Sequence, residues 1–134
     1  HPQGGLLSIR HLMWVIHSRD TWIHRLDICR ATGRAFEQTP SHDDRIVALV
    51  LRDVARRLAA RLGGRAVIFA LAGVAGGTWQ AGAGPAGAII EMDALDLNTL
   101  ASGRFTYAEG RARAVLRGDV ALAETALREA QALY

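Results

Sequence analysis

Apolar positions recur at helical spacing from Leu6 to Thr32, and Gly33 follows where a helix C-terminus favours glycine. The pattern predicts one long helix entered through Gly4-Gly5, then a loop from Arg34 to Pro40. Ser41 reads as the cap of a second helix, with Asp44 as the acidic member of a capping box, running to Gly63-Gly64. Its Val47, Leu51, Val54, Leu58 and Leu62 form a single stripe to be buried, and Arg45, Arg52 and Arg56 form a solvated face. Beyond Gly64 the period changes. Arg65 to Ala72, Gly77 to Ala81 and Ala88 to Met92 are short apolar runs between glycine turns, which predicts antiparallel strands in a meander. Asp93 caps a short helix through Ala101 that ends at Gly103, and Arg111 to Arg117 alternates as a half-buried strand. Gly118-Asp119 opens a last helix with Val120, Ala123, Leu127 and Ala130 inward. The fold class expected is α+β, an antiparallel sheet backed by helices and preceded by a long helix.

The first helix places ionisable residues beside apolar ones. At about 100° per residue, His17, Asp20, His24 and Asp27 share one arc, bordered by Ile9, Met13, Ile16 and Ile23. Val15, Trp22, Leu26 and Cys29 make a second apolar flank, and only a strip around Arg10, Ser18, Thr21 and Arg25 is left for solvent. Such a helix is expected to be packed on two sides. Asp20 and His24 stand one turn apart, so a carboxylate oxygen and an imidazole nitrogen can converge on one divalent ion at roughly 2.0–2.2 Å. Two ligands do not complete a zinc-type centre, and on spacing alone the commoner reading is a hydrogen-bonded or ion-paired couple.

Composition narrows the function classes. The 134 residues are half apolar, enough for one sound core without disulfides or a structural metal. No apolar run approaches the roughly 20 residues of a membrane span. The single cysteine, Cys29, excludes an internal disulfide and a multi-Cys zinc site; near a helix C-terminus it reads as a buried structural thiol. With no signal segment in view, a cytoplasmic protein is expected. All sixteen basic residues are Arg, dispersed among thirteen acids, without the cation clusters and interleaved aromatics of a nucleic-acid surface. His11 and His42 read as exposed residues outside any site. The opening His1-Pro2-Gln3 carries no Met, so the chain reads as a fragment or processed product.

The segment Arg19-Asp20-Thr21-Trp22-Ile23-His24-Arg25-Leu26-Asp27-Ile28, followed by Arg30-Ala31-Thr32-Gly33-Arg34, resembles the last bundle helix of the DinB-like, mycothiol-dependent maleylpyruvate isomerase family. Gly76-Gly77-Thr78-Trp79, Met92-Asp93 through Gly103-Arg104, and Arg117-Gly118-Asp119 look like landmarks of that family's sterol-carrier-like C-terminal domain. The resemblance implies that residues 1–33 are the last helix of a metal-binding four-helix bundle and residues 41–134 the sterol-carrier-like domain. It implies Asp20 and His24 as two of three ligands of a divalent metal, zinc by preference, with Asp27 supporting them. The metal would activate the thiolate of mycothiol, which adds to a small electrophile such as maleylpyruvate, allows rotation about the former double bond and is then eliminated. An arginine of the second domain would hold the substrate carboxylate; Arg104 and Arg113 are the catalytic candidates, with Arg111 beside them.

The family's first three helices, which carry the remaining ligand histidine, are not in this sequence. The 134 residues alone are therefore not expected to be active; the missing helices or a dimer mate would be the partner. The rival readings are a stand-alone sterol-carrier-like module that binds an apolar small molecule, with alanines and glycines between Ala70 and Ala88 lining a tunnel, and a non-catalytic interaction domain.

Overall fold

The computed structural model describes residues 8–131, the His11 side chain excepted. The expected entry of the first helix at Gly4-Gly5 and Leu6 lies outside the described residues. The chain divides into two compact units, His1–Glu37 and Gln38–Tyr134.

In the first unit α1 (Ile9–His11) passes through a π-helical turn, Leu12–Ile16, into α2 (His17–Thr32). The wider turn breaks the 3.6-residue phase, so the helical wheel holds from His17 onward and does not place Ile9 or Met13. Gly33 closes α2 in the left-handed conformation, φ 67°, and donates its N–H to the Cys29 carbonyl. The next residues fold back on the helix. Phe36 meets Trp22 edge-on with centroids 5.4 Å apart, and the Arg25 guanidinium lies 4.9 Å from the Phe36 centroid while donating to the Glu37 carbonyl at 2.7 Å.

In the second unit α3 (Pro40–Leu58) is capped two residues earlier than the expected Ser41. Thr39 is its N-cap residue, Pro40 supplies the pre-set φ of the first turn, and the Asp43 carboxylate, not that of Asp44, accepts the Thr39 N–H at 2.7 Å. A 3-10 turn, Ala59–Arg61, follows. The stripe Val47, Leu51, Val54, Leu58 and Leu62 is buried as its spacing predicts.

Four strands form the sheet: β1 (Ala66–Ala72), β2 (Gly77–Ala81), β3 (Ala86–Asp93) and β4 (Val115–Gly118), in the order β2-β1-β3-β4. The sheet is mixed and mostly antiparallel. β1 pairs antiparallel with β2 (Phe69 opposite Trp79) and β3 antiparallel with β4, but β1 and β3 run parallel, with Phe69 opposite Ile90. This departs from a meander. Residues 82–85 cross the start of β1, where the Ala66 N–H donates to the Pro85 carbonyl at 2.8 Å, and deliver β3 to the far side of β1. The crossing is tight enough to demand glycine, since a Cβ on Gly84 would collide with the Gly64 carbonyl oxygen.

The helix after β3, α4 (Ala94–Ala101), is capped by Asp93, which accepts the Leu95 N–H at 2.7 Å. The strand expected over Arg111 to Arg117 forms only in its second half: Arg111 and Ala112 end α5 (Tyr107–Ala112), which is started by a reciprocal capping box between Thr106 and Glu109, and Val115 to Gly118 pair as β4. Ala114 is buried, but Ala112 is exposed, so the alternation extends over less of the segment than its pattern suggests. Asp119 accepts the Leu122 N–H at 3.0 Å ahead of α6 (Val120–Gln131), whose Leu122, Ala123, Ala126, Leu127 and Ala130 are buried while Val120 is exposed.

Helices α3, α4 and α6 pack on the sheet. One sheet face, Val67, Phe69 and Leu71 of β1 with Ala88, Ile90 and Met92 of β3, is buried; Ile68, Ala70, Ile89 and Glu91 on the alternate face are partly exposed. No helix among the described residues is long and apolar enough to cross a membrane.

Candidate functional site

Helical geometry brings Asp20 and His24 together on α2, with His24 Nε2 3.4 Å from Asp20 Oδ1. Both side chains face solvent, 60% and 64% exposed respectively. The pair is an open, loose couple rather than a buried ion pair, so lone pairs on both groups remain accessible. His17 is exposed and Asp27 half-buried on the same helix. Among the described residues no group of three or more His, Cys, Asp and Glu comes together that could hold a metal ion. The donor set thus supplies one oxygen and one nitrogen, half of a tetrahedral shell.

Apolar side chains surround this part of the first unit. Ile9, Leu12, Met13, Trp14, Ile16 and Ile28 are all exposed, Ile9 by 80% and Ile28 by 61%, whereas Val15, Trp22, Ile23 and Leu26 are buried. Of the two flanks expected to be packed, the one carrying Ile9, Met13, Ile16 and Ile23 is therefore buried at Ile23 and, among the described residues, uncovered at the other three. Cys29, expected to be buried, is a half-buried free thiol, and His42 is half-buried rather than exposed.

The arginine candidates belong to the second unit, and each is already held. Arg104 donates to the Ser102 carbonyl at 2.8 Å. Arg113 donates to the Glu109 carbonyl at 3.1 Å, lies 4.2 Å from the Phe105 centroid and approaches Asp96 at 3.7 Å. Arg111 pairs with Glu124 at 3.2 Å. These contacts tie α5 to its neighbours, so a substrate carboxylate would compete with internal acceptors for each guanidinium.

A different arginine sits at a concave surface. Between α3 and the β1–β2 hairpin lies a cleft of about 210 Å³, with Leu51, Phe69 and Ala81 at its floor, Ala48 and Ala55 along one wall, and Trp79, Gln80 and Arg52 lining the rest. The sequence pattern assigns Arg52 to a solvated face. The available signal was the pair of alanines, Ala48 and Ala55, seven residues apart beside the apolar stripe, where larger residues would close the gap. Of the alanines and glycines expected to line a tunnel between Ala70 and Ala88, only Ala81 reaches this cleft.

No family model matches the chain, nor does any curated protein or solved structure.

Proposed function

We propose that this chain is the C-terminal portion of a cytoplasmic, metal- and mycothiol-dependent isomerase or thiol transferase that acts on small electrophiles, a reading that stays with the resemblance to the maleylpyruvate isomerase family. The observation that supports it best is the solvent-open Asp20–His24 couple, 3.4 Å apart, on a helix that also exposes Ile9, Met13, Ile16 and Ile28. A carboxylate and an imidazole one turn apart suit a divalent ion, and exposed apolar neighbours suit further helices bearing the remaining ligand. When bound, the ion would supply the positive charge that lowers a thiol's pKa and keeps a nucleophile available at neutral pH. Asp20 and His24 would hold it through Oδ1 and Nε2, the atoms that already face each other. Arg104 or Arg113 would orient the substrate carboxylate after exchanging an internal acceptor for it.

The test is zinc titration of the longer protein that the resemblance implies, with its remaining bundle helices, followed by calorimetry and by the His24 imidazole resonances. One saturable ion per chain is expected, lost in both Asp20→Ala and His24→Ala. Binding that is absent in the parent, or unchanged in both variants, overturns the metal reading.

A second reading, a module that binds a small apolar molecule, is favoured by the cleft between α3 and the β1–β2 hairpin.

A further inference from the structure

From the cleft between α3 and the β1–β2 hairpin we infer a binding site for a small aryl carboxylate, with the aromatic ring seated against Phe69 and Trp79 and the carboxylate on Arg52. The inference rests on the second reading above and is independent of any metal.

Size sets the first limit. An apolar cavity of about 150 Å³ is enough to bind benzene. At about 210 Å³ the cleft takes one ring with a short arm and is far too small for a sterol. The lining sets the second. Phe69 and Trp79 are a cross-strand pair, so two aromatic side chains meet the same space, the first fully buried and the second half-exposed. Offset or edge contacts with such a pair favour an aromatic ring over an alkyl chain of equal area. The facing wall is kept low by Ala48 and Ala55.

Charge sets the third. Arg52 is exposed, and among the described residues its guanidinium has only the approach of its Nε to Asp53 Oδ1 at 3.7 Å. The same oxygen lies 3.7 Å from Arg56 Nη1. One carboxylate is thus shared between two guanidiniums, and a positive charge is left over beside an otherwise apolar cleft. The Arg52 Nη groups retain a planar fork of donors that matches a carboxylate. Gln80, the other polar lining residue, is turned to its own loop, donating to the Gly82 carbonyl at 2.9 Å. An apolar slot with one cation at its edge, held only by a carboxylate that it shares with Arg56, selects an amphipathic anion.

The probe is 3-phenylpropionate, titrated without added metal and followed by calorimetry and by the indole N–H resonance of Trp79, which Trp79→Phe assigns. Saturable binding that moves this resonance is expected. Arg52→Gln, at an exposed position that leaves the core intact, should weaken binding about tenfold, as loss of a charge-assisted pair implies. The neutral 3-phenylpropanamide should bind the parent about as weakly as the acid binds that variant, and Ala55→Leu should abolish binding by filling the slot. No movement of the Trp79 resonance at millimolar probe overturns the site, and equal affinity for acid and amide overturns the role of Arg52. Because no metal is present, neither outcome bears on Asp20 and His24.

Discussion

The two units handle apolar surface in opposite ways. The second closes a core of its own, with Phe69, Ile90, Leu58 and Leu127 without solvent exposure between sheet and helices. The first leaves Ile9, Leu12, Met13, Trp14, Ile16 and Ile28 exposed on helical turns that also carry Asp20 and His24. Burial of an aliphatic side chain is worth about 1.5–3 kcal/mol, so a helix that leaves several such groups in water forgoes much of the usual return on its sequence. The contrast is that between a folded body and a surface with unused cohesive capacity, and the Asp20–His24 pair lies on the latter.

Truncation separates the two most sharply. Ile90 is central in β3 and fully buried, so Ile90→Ala should lower stability by about 2–5 kcal/mol, read from urea unfolding followed by circular dichroism. Ile28→Ser, on the exposed side of α2, should change it by no more than about 0.5 kcal/mol, because isoleucine and serine have similar helix propensities and little packing is lost. Comparable losses in the two variants would erase the distinction. If the exposed side is covered by further helices in a longer protein, the Ile28→Ser cost should rise there and the Ile90→Ala cost should not.

What the sequence makes legible follows the same division between local and non-local causes. The buried stripe of α3, the Gly33 stop, the Asp93 cap and the positions of β1, β2 and β3 all depend on residues a few places apart, and all are visible in the pattern. The parallel pairing of β1 with β3 is not, because a strand's period of two fixes which faces it shows and says nothing of which neighbour it takes. The strand over Arg111 to Arg117 starts later than its pattern suggests, because Ala112, Ala114 and Leu116 mimic alternation while Thr106 and Glu109, just upstream, commit the chain to α5 as far as Ala112. Asp20 and His24 were legible as a pair because i and i+4 is local. Arg52 was not legible as a site residue, since its cleft exists only when α3 meets the β1–β2 hairpin.

The crossing that creates the parallel pair offers the next test of how tightly the second unit is built. Gly84 passes so close to the Gly64 carbonyl that a methyl group there must displace backbone, not a flexible side-chain tip. Gly84→Ala should cost about 1–3 kcal/mol by overpacking, with the loss concentrated at the central β1–β3 pairing in amide exchange. An unchanged midpoint would mean that residues 82–85 yield readily and that the crossing does not fix the sheet order.

The smallest effect expected is one of pH, and it too belongs to the second unit. The Arg65 guanidinium, 2.8 Å from Asp119, and then the Leu122 amide hold the Asp119 carboxyl below its ordinary 3.8. Arg117 does the same for Glu91, and the Thr106 amide and hydroxyl for Glu109, each below its ordinary 4.5. A carboxyl depressed on folding binds fewer protons in the native state than in the unfolded one, so stability falls as pH falls. The contribution is complete above the ordinary values and is lost through the lowered ones, which places the slope in the acid range below about pH 4.5. All three groups are open to solvent, so added salt should flatten the slope. Asp119→Asn isolates one part of it. An asparagine still offers an oxygen to the Leu122 N–H and remains a good helix cap, but it neither titrates nor attracts Arg65. Urea midpoints measured from pH 3 to 7 should therefore converge for parent and variant at the acid end and separate as pH rises. Curves that run parallel over the whole range would assign the Asp119 contribution to its cap alone and leave Arg65 as a bystander.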